Sequence, residues 1–113
     1  MDRRARALHK EVERIKQELV RLGDLRPGSL SEQFNVCGSP GCRCKGSSPQ
    51  RHGPYYQVSY TRKGRSGTRF VKRPQVATVK GQLRNYARLR KLVERWVEAA
   101  TELSDLRLED KNP

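Results

Sequence analysis

Residues 37 to 74 contain no aspartate or glutamate, yet they carry nine of the chain's 25 lysines and arginines. A stretch of that length without acid rules out the mixed-sign surface by which a merely soluble protein usually presents its charge. It also withholds the carboxylate that a catalytic zinc site would use as general base, so no enzyme is expected. Apolar residues are scarce too. Only 34% of the 113 residues are hydrophobic against 33% charged, with one tryptophan and two phenylalanines, so the core is small and a metal, a packed helix or oligomerisation has to support it. No apolar run approaches the ~20 residues of a membrane span, and Met1-Asp-Arg-Arg leads into an amphipathic segment rather than a signal peptide. No membrane partner is therefore expected, and the expected location is cytoplasmic. There are three cysteines, an odd number, and with no secretory signal a disulfide is disfavoured. No internal repeat is visible, and no pair of segments has the short turn of a helix-turn-helix.

What the chain does have is concentrated. Cys37-Gly-Ser-Pro-Gly-Cys42-Arg-Cys44 is followed by His52-Gly-Pro-Tyr55-Tyr56, a C-x4-C-x-C-x7-H spacing. Three thiols and an imidazole suffice to surround one tetrahedral ion, so Cys37, Cys42, Cys44 and His52 are the expected ligands of a structural zinc. The spacing itself departs from the paired knuckles of common zinc modules. Arg43, Lys45 and Arg51 lie beside the sulfurs and favour their thiolate forms. Alternatives remain open at this point: three reduced cysteines with an ordinary surface histidine, His52 as a residue of the Gly-Pro turn, or an iron–sulfur cluster with an external ligand.

Leu8, Val12, Ile15, Leu19 and Leu22 recur at heptad spacing and predict an amphipathic helix over residues 1–22. Residues 23–74 read as a connector with a short turn at Ser31–Phe34, the zinc loop and a β-hairpin. The hairpin strands are expected at Tyr55–Tyr60 and Thr68–Lys72, with Arg62–Gly67 as the loop between them. Residues 75–108 read as a long helix with Val76, Val79, Leu83, Tyr86, Leu89, Val93, Trp96 or Val97, Ala100 and Leu103 on one stripe, and 109–113 as a tail. The basic start of the first helix and the acidic end of the second each oppose their own dipole, which predicts an antiparallel pairing. The expected fold class is α+β: an antiparallel two-helix hairpin with a small zinc-bound loop and a two-stranded β-hairpin at one end.

The net charge of +13 is unevenly placed: residues 1–22 carry +3, 23–36 carry −1, 37–74 carry +9 and 75–113 carry +2. A carboxylate-free basic segment beside tyrosines points to a polyanion, and the expected partner is nucleic acid, DNA first. Candidate contacts are Arg43, Lys45, Arg51, Arg62, Lys63, Arg65, Arg69, Lys72 and Arg73, continued by Lys80, Arg84 and Arg88 on the long helix; an ordinary solvated face is the alternative. Tyr55, Tyr56 and Tyr60 are candidates to stack on bases or to form core. The expected function is that of a small zinc-stabilised nucleic-acid-binding accessory or regulatory protein. The rival is a protein-interaction adaptor or homodimer formed through the helices, its basic segment docking an acidic partner.

Arg26-Pro-Gly-Ser-Leu-Ser-Glu-Gln33, Cys37-Gly-x-Pro-x-Cys42-x-Cys44, His52-Gly-Pro-Tyr-Tyr56 and Thr68-Arg-Phe-Val71 together resemble a bacterial and archaeal family of short proteins classed as a domain of unknown function. The resemblance covers roughly residues 26 to 100. It implies no activity and assigns no catalytic residue.

Overall fold

The computed structural model describes residues 2–36, 38–45 and 52–110. The elements follow in the order α1 (Arg3–Val20), β1 (Ser29–Asn35), β2 (His52–Arg62), β3 (Arg65–Val71) and α2 (Val76–Asp110), with short 3-10 turns at Arg43–Lys45 and Arg73–Gln75. They divide into a helical unit, Met1–Leu25 with Arg84–Pro113, and a sheet unit, Arg26–Leu83.

In the helical unit, Asp2 caps α1 by accepting a hydrogen bond from the Arg4 amide at 3.3 Å. The alternating three- and four-residue spacing of Ala5, Leu8, Val12 and Ile15 puts all four on one buried stripe. Ala5, Leu8 and Val12 form one apolar cluster with Ala99 and Leu103 of α2, and Trp96, Ala100 and Leu106 pack against it. The ion pairs Arg4–Glu102 (2.8 Å), Glu11–Arg95 and Glu18–Arg88 (2.9 Å) step in opposite chain directions, so α1 and this part of α2 run antiparallel. Glu102 also holds the Arg4 guanidinium above its usual pKa, by hydrogen bonding and by charge. The apolar stripe of α2 is corrected from Val93 onward: Leu92 is 2% exposed whereas Val93 is 41% exposed, Trp96 rather than the exposed Val97 packs on the cluster, and Ala99 is buried where Ala100 is only partly so. Leu92 continues the three-four alternation through Trp96, Ala99, Leu103 and Leu106, and Val93 falls off it.

The sheet unit overturns the expected fold class. Instead of a two-stranded hairpin at the end of a two-helix hairpin, it holds a three-stranded antiparallel sheet in the order β1-β2-β3, and the whole sheet lies between the two helices in sequence. The expected turn at Ser31–Phe34 is part of β1, which pairs Leu30 with Val58 and Gln33 with Tyr55, then shifts register to pair Asn35 with His52. The expected loop Arg62–Gly67 is also corrected. The strands run on until Arg62 faces Arg65, leaving a two-residue turn in which Lys63 (φ 52) and Gly64 (φ 76) both adopt positive φ. That is the backbone of the hairpin turn whose twist matches its strands. On the inner face Val58 and Val71 are buried with Val79 from the first turn of α2, flanked by Leu30, Tyr56, Tyr60, Val76 and Leu83. No helix among the described residues is long and apolar enough to cross a membrane.

Candidate metal centre and basic sheet

Two backbone features set the chemistry at one end of the sheet. The segment before β2 closes into turns through Cys42 N–H donating to Ser39 O (3.2 Å) and Lys45 N–H donating to Cys42 O (3.1 Å), which carry Cys44 inward on the 3-10 turn. His52 opens β2, its place fixed by the pairing with Asn35. Gly53 follows at φ +140, and a Cβ there would lie 2.7 Å from the Gln33 carbonyl oxygen, so only glycine lets β1 approach this closely beside the histidine.

The result is convergence. The Cys42 and Cys44 sulfurs and a ring nitrogen of His52 all lie within 4.8 Å of one another, and Cys42 Sγ is 3.0 Å from His52 Nε2. Cys44 is buried and the other two are half-buried. Zinc–sulfur and zinc–nitrogen bonds of about 2.3 and 2.0 Å place neighbouring ligand atoms of a tetrahedron about 3.5 Å apart, so the three donors fit one ion with little movement. Soft sulfur and imidazole donors without an oxygen ligand suit zinc and other thiophilic metals rather than calcium or magnesium. Cys37, expected as a ligand, and Arg51, expected at the basic surface, lie outside the described residues.

Arg62, Lys63 and Arg65 are exposed at the β2–β3 turn, Arg69 on β3, Lys72 and Arg73 just beyond it, and Arg43 and Lys45 beside the thiols. Lys80, Arg84 and Arg88 recur every four residues on α2 and are exposed, with Arg88 paired to Glu18. Among the described residues, none of the four ion pairs involves a lysine or arginine of the sheet unit. The tyrosines part ways. Tyr56 and Tyr60 pack on the valine core, while Tyr55 is 43% exposed on the opposite face of β2. There it lines an open depression of about 640 Å³ with Asn35, Ser39, Cys42, His52 and Phe70. Sequence reasoning missed Phe70, although strict alternation from the buried Val71 places it on the outer face.

Residues 5–81 match the family described as Domain of unknown function (DUF6788). The chain belongs to that family. The DUF6788 match takes in α1, the three strands, the Cys/His group and the start of α2, beginning earlier and ending earlier than the resemblance read from the motifs. No curated protein and no solved structure matches the chain.

Proposed function

We propose that this DUF6788 protein is a zinc-stabilised nucleic-acid-binding protein with an accessory or regulatory role and no catalytic one. The observation that carries the reading is the charge of the sheet unit: eleven lysines and arginines against the single carboxylate of Glu32, with none of those cations in an ion pair among the described residues. Cations left for solvent on one small unit attract polyanions, and phosphate contacts release condensed counterions. Zinc would be held by the thiolates of Cys42 and Cys44 and by His52 Nε2, with Cys37 as the fourth ligand from the sequence. It supplies a cross-link between the turn and the start of β2. Lys63 adds support. It occupies a positive-φ position that asparagine or glycine fills at lower cost, and it brings a charge to the tip of the turn.

The test is a binding titration with duplex DNA, single-stranded DNA and RNA at two salt concentrations. Affinity is expected to fall steeply with salt. Replacing Arg62, Lys63 and Arg65 together with alanine should weaken binding and flatten the salt slope by about 0.7–0.9 per lost phosphate contact. Binding absent at low salt, or indifferent to salt and to the triple substitution, overturns the proposal. The rival reading, an adaptor or homodimer through the helices, draws on Val93 and Val97, exposed one turn apart on α2. Sedimentation showing a stable dimer without nucleic acid would favour it.

A further inference from the structure

The outer face of the sheet differs in kind from every other surface of the sheet unit. By strand alternation and register, Ser31, Gln57 and Phe70 lie side by side across the three strands, and Ser29, Ser59 and Thr68 form the next row. Within the strands no side chain on this face is charged, although the unit around it is strongly basic. Two aromatics stand on it: Tyr55, 43% exposed, and Phe70, 75% exposed, both lining the depression beside Cys42 and His52. The polar side chains between them are hydroxyls and amides, which donate and accept without committing to an anion. Cations stand at its two ends: Lys63 at the tip of the β2–β3 turn, and Lys72, the extended residue that follows β3 and by the same alternation falls on this side level with Tyr55, whereas Arg62 and Arg65 share the inner face with Val58 and Val71.

This pattern separates two kinds of nucleic acid. A duplex keeps its base faces stacked inside and presents phosphates, which would draw charge onto the contact surface. An unpaired strand offers flat base faces to aromatic rings and base edges to hydroxyls and amides, while its phosphates seek cations at the margins. From Tyr55 to Arg62 the strand advances about 23 Å, room for about four extended nucleotides. We propose that the outer sheet face is a binding site for single-stranded nucleic acid, with bases stacked on Tyr55 and Phe70 and the backbone drawn to Lys63 at the turn tip and to Lys72 beside Tyr55. This rests on the nucleic-acid reading above and narrows it to unpaired strands.

The experiment titrates the full chain with three fluorescent 12-mers, a DNA single strand, an RNA single strand and a DNA duplex, and repeats the series with Tyr55→Ala, Phe70→Ala and Phe70→Tyr. Both residues are exposed and outside the valine cluster, so the variants should keep the wild-type melting temperature. The single strands are expected to bind more tightly than the duplex. Each alanine should weaken single-strand binding about tenfold and leave duplex binding unchanged, and Phe70→Tyr, which keeps a ring, should restore it. The DNA and RNA arms decide which strand is held. Preference for duplex, with alanine variants indistinguishable from wild type while the Arg62, Lys63 and Arg65 substitution abolishes binding, would overturn this site and leave the broader function standing. Binding to none of the three would remove both.

Discussion

The helical unit and the sheet unit are both basic, but they hold their charge in opposite ways. The helical unit has 14 lysines and arginines against 11 carboxylates, and all four ion pairs among the described residues fall within it. The sheet unit has eleven against one. The cores differ in the same sense. Leucines and alanines spaced along two helices bury one continuous stripe in the first unit, whereas the second buries three valines beneath a three-stranded sheet. The helical unit therefore carries its own stabilisation, and the sheet unit, short of apolar contacts and crowded with like charge, is the one that a bound metal or polyanion would stabilise most. A segment can stay this basic only where something other than internal ion pairing offsets the repulsion.

Removing metal should separate the two units most sharply. Elemental analysis is expected to find about one zinc per chain, and a chelator or Cys42→Ser should release it. The sheet-unit amide resonances should then lose dispersion while the helical signal in circular dichroism is largely kept. His52→Ala should weaken metal retention less than either cysteine change, because water can take the vacated position. A metal-free protein with an unchanged spectrum in chelator would erase the contrast between the units.

A smaller effect sharpens it at the turn. Lys63→Asn relieves a positive-φ lysine and should raise the melting free energy by about 1 kcal/mol while lowering nucleic-acid affinity. A gain in stability with no loss of binding would reduce Lys63 to an ordinary turn residue. The smallest effect belongs to the helical unit. Arg4→Glu should cost less than about 1 kcal/mol, since Arg4 and Glu102 are both well exposed, and adding Glu102→Arg should recover part of it. Neither change should alter nucleic-acid binding.

The helices were legible because their information is local. Three-four spacing from Leu8 to Leu22 and from Leu89 to Leu106 specifies a helical face whatever it packs on, and the slips, Val93 for Leu92, Ala100 for Ala99 and Val97 left open beside Trp96, came from following a drifting stripe. The proximity of Cys42, Cys44 and His52 was legible for the same reason, since residues within a short loop need little tertiary structure to meet. β1 was not. Its residues read Ser-Leu-Ser-Glu-Gln-Phe-Asn, only Leu30 joins the valine core, and the strand exists because β2, across the cysteine loop, supplies its hydrogen-bonding partner. With β1 unseen, the outer face had no breadth, and Phe70 had no surface on which to matter.

Among the described residues β3 has a sheet neighbour on one side only, so its other edge presents backbone amides and carbonyls that a second copy of the chain could extend. Arg65 and Arg69 are exposed on that strand, with Lys72 immediately beyond it. Like charges at this spacing make edge-to-edge association between copies repulsive. This repulsion is electrostatic, so it weakens as ionic strength rises and the screening length shrinks to a few ångströms. Edge-to-edge association through β3 is then expected to rise with salt. A storage buffer chosen to suppress nonspecific polyanion binding is also the one in which its sheet edge is least defended.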